Sequence, residues 1–267
     1  MKLNKPVQES WNQLKKIDTN DWIAQPKFDG IRTSLIYKDN KITLVGEEGV
    51  HKSHQYPEII MGGYSSKLPE GTILDGELCV LKDDYNADLY SLLSRQVGSL
   101  SKATKLAKKN PATFVAFDII QYKGESVKDL SWSARNDILQ SIGVENKYFK
   151  TIASYNPMDL VAKIQPLNME GMVIKRKDGS YQSKWLKMKY YQEYDFKITG
   201  TISKNRTISS IELEHFENGD YAGKVNSNNL VTQSNDFAKK IVGKTATVRC
   251  RMTPKGKVRE SVLIRIK

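Results

Sequence analysis

Only two cysteines, Cys79 and Cys250, occur in 267 residues, so the chain has neither a disulfide framework nor the spaced thiols of a structural zinc site. Both read as small buried apolar residues. Histidine is equally scarce: His51, His54 and His215 show no metal-ligand spacing and read as surface or turn residues. No stretch approaches the run of roughly 20 apolar residues that spans a bilayer. The segment Met1 to Lys16 is polar and charged, without the apolar centre of a signal peptide, so a cytoplasmic protein with no membrane partner is expected. No internal repeat or low-complexity tract is present.

Negative charge is the other shortage. Asp and Glu number 30 against 42 Lys and Arg, a net +12 with a pI near 9.4. Such an excess points to a polyanionic partner, because neutralising phosphates releases counterions. Residues 196–267 carry 14 Lys and Arg against 6 Asp and Glu, a net +8, which leaves +4 for the first 195 residues. By itself that concentration equally fits a solvated face. The length suits two domains better than three.

From Asp21 to about Leu81 apolar runs alternate with polar turns: DWIAQPKF, IRTSLIYKDNKITLVG and TILDGELCVL. These predict strands, with Lys38-Asp39-Asn40-Lys41 as a hairpin turn. The polar stretch Lys82 to Asn110 predicts a helical piece over Asp88 to Val97 and then a lysine-rich flexible surface loop, ahead of a strand from Ala112 to Gln121. Ser133 to Ile142 and Pro157 to Ile164 predict short amphipathic helices, opened by Ser133 and by Asn156 with Pro157 in the first turn. Strands resume at Gly171 to Lys175 and Trp185 to Lys189. Beyond a charged hinge at Gln192 to Asp195, the runs FKITGTIS, SSIELEHF, DYAGKV, TATVRCRM and SVLIRIK, with one short helix near Asp236 to Ile241, predict a small closed β-barrel.

The sharpest local feature is Lys27-Phe28-Asp29-Gly30, with Arg32 just beyond, where a strand ends in a glycine turn. A lysine there can act as a nucleophile once nearby cations and desolvation lower its pKa from about 10.4; alone, the same text fits an exposed turn. Asp75 and Glu77 stand two apart on one strand and share a face, as catalytic carboxylates or as an ordinary turn pair. Phe117 ends the apolar run TFVAF, normally a core position. Glu170 sits at the mouth of a strand, where a hard divalent cation would take its oxygen together with substrate phosphates. Lys187 and Lys189 share one strand face, a costly arrangement unless an anion lies between them.

In this order KFDGIR, LDGEL, AFDII, EGMVIKR and KWLKMKY, spanning Lys27 to Lys189, resemble the successive signatures of the covalent nucleotidyltransferase superfamily and, within it, the ATP-dependent DNA ligases. The resemblance implies an α+β chain: a nucleotidyltransferase domain of ATP-grasp-like antiparallel sheets with helices over residues 1–193, then a small all-β OB-fold barrel over residues 194–267. It implies ATP as the AMP donor, Mg²⁺ with Mn²⁺ as a substitute, and nicked double-stranded DNA as the partner of a monomeric enzyme. Lys27 would carry AMP, and Asp29 would assist at the nick. Arg32 and Glu77 would hold the ribose and phosphate side of the nucleotide, Phe117 would stack on adenine, and Gln25 would belong to the same pocket. Glu170, with Asp75, would position the metal, and Lys187 and Lys189 would grip the α-phosphate. In the barrel Lys224, Lys244, Arg249, Arg251 and Arg265 would contact duplex phosphates without reading sequence, with Gly223-Lys224-Val225 and Gly243-Lys244 as loop elements.

Two signatures depart from the family pattern. Gly46-Glu47-Glu48-Gly49 stands where the family often has an arginine that meets the 5′-phosphate of the nick, leaving Lys52 or His51 as replacement cations. The last signature is shortened to Arg259 through Lys267, with Ser261 in place of proline; Arg265 and Lys267 are its candidate pyrophosphate cations. The 26 residues before Lys27 leave no space for a large N-terminal DNA-binding domain, and the nicotinamide module and zinc cysteines of NAD-dependent ligases are missing. A minimal ATP-dependent core enzyme of viral or bacterial type is therefore expected. An RNA ligase or capping guanylyltransferase of the same superfamily is the alternative reading, and a non-catalytic basic nucleic-acid binder is the second.

Overall fold

A two-residue turn starts the largest of three sheets. In a computed structural model, which describes residues 3–204, 207–227 and 235–267, strands β3 (Ile31–Lys38) and β4 (Lys41–Gly46) are joined by Asp39 and Asn40, both left-handed at φ 52° and 56°. Polar residues with short side chains tolerate that conformation, which matches the twist of a tight hairpin. Glu70 steadies the turn by accepting the Asp39 amide at 2.6 Å.

Strand β5 (Thr72–Cys79) pairs with β3, and β6 (Thr113–Tyr122) pairs with β5, both antiparallel. Short strands β7 (Glu125–Ser126) and β8 (Phe149–Thr151) add to β6. A second sheet runs β1 (Val7–Gln8), β10 (Leu186–Lys189), β9 (Gly171–Arg176), β2 (Trp22–Pro26). The main core lies under the first sheet, where Leu35, Leu44, Leu74 and Phe114 meet Ile59 of α1 (Pro57–Ile60), Leu92 of α2 (Leu89–Leu93) and Leu139 of α4 (Trp132–Ser141). Burying these side chains is the dominant favourable contribution.

Local caps explain the helices. Asp88 accepts the Tyr90 and Ser91 amides at the start of α2, and Asn156 accepts the Met158 amide ahead of Pro157 in α5 (Pro157–Ile164). The cap of α4 is Ser131, which accepts the Ala134 amide, and not Ser133 as the sequence suggests. The lysine-rich segment expected as a flexible loop is helix α3 (Leu100–Lys109). Ala, Leu and Lys are strong helix formers, and burial of Ala103 anchors it while Lys102, Lys105, Lys108 and Lys109 face solvent.

The chain divides into units of residues 1–189 and 190–267. Gln192 to Asp195, read as a hinge, begins strand β11 (Gln192–Lys204) and pairs with β14 (Thr245–Met252) from Gln192↔Cys250 to Asp195↔Thr247. The second unit is one antiparallel sheet, β13 (Tyr221–Asn226), β12 (Thr207–Glu214), β11, β14, β15 (Val258–Ile266), with α6 (Asn235–Ile241). Its edge strands approach, the Ser261 hydroxyl donating to the Lys224 carbonyl at 3.4 Å. This curled sheet is the half-barrel of an OB-fold. Phe196, Ile198, Ile211, Leu213, Val225 and Val248 fill its interior.

Candidate active site

Lys27 follows directly on β2, and its backbone amide donates to the Gly171 carbonyl at 3.0 Å. That bond sets the lysine beside the mouth of β9. Gly171 has φ +146°, and a Cβ there would come 2.1 Å from the Met188 carbonyl oxygen. Only glycine lets β9 start this close to β10, which brings buried Glu170 alongside: Lys27 Nζ is 2.9 Å from Glu170 Oε1, and Lys189 Nζ is 3.4 Å from the same oxygen. Gly30 is equally constrained, since its Cβ would lie 2.3 Å from the Leu78 carbonyl oxygen.

The carboxylates around Lys27 favour its charged form. Burial is the largest influence on Lys27 and pushes its pKa down, but Glu170, Glu77 and Asp29 together outweigh it and leave the pKa above the ordinary lysine value. The sequence-based expectation of a lowered pKa is thus corrected. Glu77 feels the converse: burial, assisted by Glu170 and Asp75 and opposed by Lys27 and Arg32, pushes its carboxyl up to about 8.

A cavity of about 390 Å³, within the range of small-molecule sites, opens in front of Lys27. Gln25, Val173 and Lys187 are register neighbours across β2, β9 and β10 and all line it. Arg32 and Glu77 are paired across β3 and β5 and line it from the other sheet, as does Phe117. Phe117 and Trp185 meet edge to face, with ring centroids 6.2 Å apart. Of the predicted nucleotide residues, Gln25, Lys27, Arg32, Glu77, Phe117 and Lys187 are therefore brought together, with Glu170 paired to Lys27 and Lys189 paired in turn to Glu170. Half-buried Asp29 acts on Lys27 electrostatically without lining the cavity.

Asp75 is a correction. Fully buried, it binds Arg32 through both oxygens, at 3.1 Å to Nε and 2.6 Å to Nη2, and accepts the Tyr181 hydroxyl at 2.7 Å. Arg32 and Tyr181 take three of its roughly four acceptor positions, so the geometry gives Asp75 the task of orienting Arg32 and leaves it outside the cavity lining. Lys175 was missed. Buried on β9, it donates to the Phe117 carbonyl at 3.1 Å and to Asp118 at 3.3 Å, and its Nζ lies 3.9 Å from the Trp185 ring centre. Burial pulls its pKa down to about 8 against the attraction of Asp118. Both faces of β9 are covered, so no alternation marked this lysine as a pocket residue.

A lysine ion-paired to a strand-mouth carboxylate, facing an aromatic-walled cavity rimmed by Arg32 and Lys187, is suited to attack a phosphorus and to hold a nucleotide. Residues 1–189 match the family model described as the ATP dependent DNA ligase domain. The chain belongs to this family. It is 26% identical over 192 residues to the SPbeta prophage-derived DNA ligase-like protein LigB of Bacillus subtilis strain 168, covering 69% of this chain and 67% of that protein. Against the bifunctional non-homologous end joining protein LigD of the same organism it is 29% identical over 221 residues, covering 73% of this chain and 36% of that one. The chain thus spans about a third of that relative's length. Among solved structures, one from a structure-function analysis of Lig E DNA ligases superposes with a TM-score of 0.72 at 17% identity, covering 100% of this chain and 99% of that one. That likeness establishes the fold.

In this ligase domain the position of the absent arginine is occupied by Glu47, which lines the cavity. Neither suggested replacement does so: the Lys52 stem packs by Gly46, and exposed His51 bridges Val45. In the barrel unit Arg249 and Arg265 are exposed and Arg251 is half-buried, on adjacent strands β14 and β15. Glu193, paired with Arg249, and Asp195, opposite Thr247, interrupt that cationic face, and Lys267 is 2.6 Å from Asp195. Lys224 lies within strand β13 and not in a loop; exposed Lys244 is in the turn before β14. Among the described residues no helix is long and apolar enough to cross a membrane.

Proposed function

We propose that this chain is an ATP-dependent DNA ligase that seals 3′-hydroxyl/5′-phosphate nicks in duplex DNA, acting as a monomer in the cytoplasm. The observation that carries the reading is the Lys27–Glu170 pair at 2.9 Å, set before a cavity with aromatic and cationic walls. The Lys27 ammonium gives one proton to solvent to become an amine, its Nζ forms an N–P bond to the α-phosphorus of ATP as the P–O bond to pyrophosphate breaks, and the second proton leaves to solvent as the phosphoramidate forms. Phe117 presents a face for the adenine, Gln25 and Glu77 flank the nucleoside, and Arg32 and Lys187 offset charge on the phosphates. AMP then passes from Lys27 to the 5′-phosphate of the nick, and attack by the 3′-hydroxyl expels it.

Among the described residues no group of three or more His, Cys, Asp or Glu forms a self-sufficient metal site. Glu170, Glu77 and Asp29 nevertheless all act on Lys27, a hard oxygen environment that nucleotide phosphates would complete. Mg²⁺ or Mn²⁺ held there by Glu170 would neutralise phosphate charge and compete for the carboxylate that retains the Lys27 proton. The net +8 of residues 196–267 supports duplex phosphates as the partner of Lys224, Lys244, Arg249, Arg251 and Arg265. Sealing of a nicked DNA duplex, compared with a nicked RNA duplex of the same sequence, tests the substrate: preferential DNA sealing supports the reading, and preferential RNA sealing overturns it in favour of an RNA ligase.

A further inference from the structure

The N-terminal segment is a wall of the cavity. Leu3 is buried with Ile120, Tyr181 and Trp185. Asn4 is tied down by four hydrogen bonds: its amide donates to the Tyr181 hydroxyl, its side chain to the Tyr181 and Ser183 carbonyls at 2.7 and 2.8 Å, and its carbonyl accepts Arg32 Nη1 at 2.5 Å. Val7 and Gln8 then run parallel to β10 in register with Leu186 and Lys187, the Glu9 amide donating to the Lys187 carbonyl. Lys5 and Pro6 fall between these two anchored points, and both line the cavity.

Within this fixed frame the Lys5 ammonium reaches only a weak hold. Its Nζ is 3.3 Å from Glu47 Oε1, with the two side chains 77% and 37% exposed. A solvent-screened pair of this kind contributes little and exchanges readily, whereas an ammonium on a phosphate oxygen is a charge-assisted bond. The backbone is immobilised and the side chain is releasable, a combination that suits a ligand contact. The cavity already gathers Lys27, Arg32, Lys175 and Lys187, so a phosphate held there finds Lys5 and Glu47 in the same lining.

We propose that Lys5 is a substrate-phosphate-binding residue of this site, parked on Glu47 until a phosphate displaces that carboxylate. The proposal rests on the ligase reading. The phosphate has two sources, the β,γ end of ATP and the 5′-phosphate of the nick, and two assays separate them: self-adenylylation with MgATP alone, and sealing of a pre-adenylylated nick supplied without ATP. Lys5→Met, which keeps the stem, should slow one of the two by about tenfold, the loss expected for one charge-assisted bond. Lys5→Arg should restore most of it. Loss confined to the first assay assigns Lys5 to ATP; loss in the second assigns it to the nick. Lys5→Met within twofold of wild type in both assays, or a loss not rescued by Lys5→Arg in a variant of unchanged Tm, overturns the proposal. If wild type itself takes no label from ATP, the ligase reading has failed and not this inference alone.

Discussion

Lys27 Nζ lies 2.9 Å from Glu170 Oε1, a pairing that favours the charged form of the lysine. Reaction of Lys27 with a small acylating reagent should rise with pH with a midpoint above the ordinary lysine value, because Glu170, Glu77 and Asp29 favour the charged form. Glu170→Gln should move that midpoint down. Peptide mass spectrometry of modified protein across pH checks this; an unmoved midpoint would contradict it.

Glu77 makes a separate prediction about stability. Its carboxyl titrates near 4.5 when unfolded and at about 8 in the fold. Between these values the folded chain holds the extra proton, so this group costs stability progressively as pH rises. Glu77→Gln lacks the group, and its stability relative to wild type should grow from pH 4.5 to 8 and then level. The gain should reach about 1–2 kcal/mol once solvent screening at the cavity wall is allowed for. Denaturant melts of both proteins at pH 5 and pH 8.5 measure it, and an equal difference at the two pH values would refute the assignment.

Asp75 should matter for folding and not for metal. Asp75→Asn leaves Arg32 buried without its counter-charge, a loss of about 3–5 kcal/mol for a broken buried pair. The Mg²⁺ concentration giving half-maximal self-adenylylation should stay within twofold of wild type in the folded fraction. A large rise in that concentration would return Asp75 to the metal ligands.

The barrel cations should act on DNA alone. Replacing Arg249, Arg251 and Arg265 with Ala should weaken nicked-duplex binding and lower the slope of log K against log salt by about 0.9 for each phosphate no longer neutralised. Self-adenylylation should be unaffected. An unchanged salt slope would show that this face, interrupted by Glu193 and Asp195, does not meet the backbone.

Much of the site was legible because its residues sit where strands end. Glu170 adjoins Gly171 and Lys27 stands three residues before Gly30, glycines that close backbone approaches demand, and Arg32, Glu77 and Phe117 punctuate apolar runs that read as strands. Asp75 and Glu77 share a face in the sequence, but only the fold shows that Arg32 and Tyr181 take both oxygens of the first. Lys175 was hidden because β9 is covered on both sides. The N-terminal wall was hidden because two strand residues and one asparagine carry it, too few for any periodic signal. Ser131, Ser133 and the lysines of α3 show a limit of another kind: caps and helix ends shift by a residue or two, and a polar helix with a single buried alanine reads as a loop.

The most direct test is incubation of the protein with α-labelled ATP and Mg²⁺, followed by mapping of the modified peptide. The account predicts one AMP on Lys27, removed by added pyrophosphate and absent from a folded Lys27→Ala variant. Wild-type protein that folds but takes no label, or label that persists in Lys27→Ala, would contradict it.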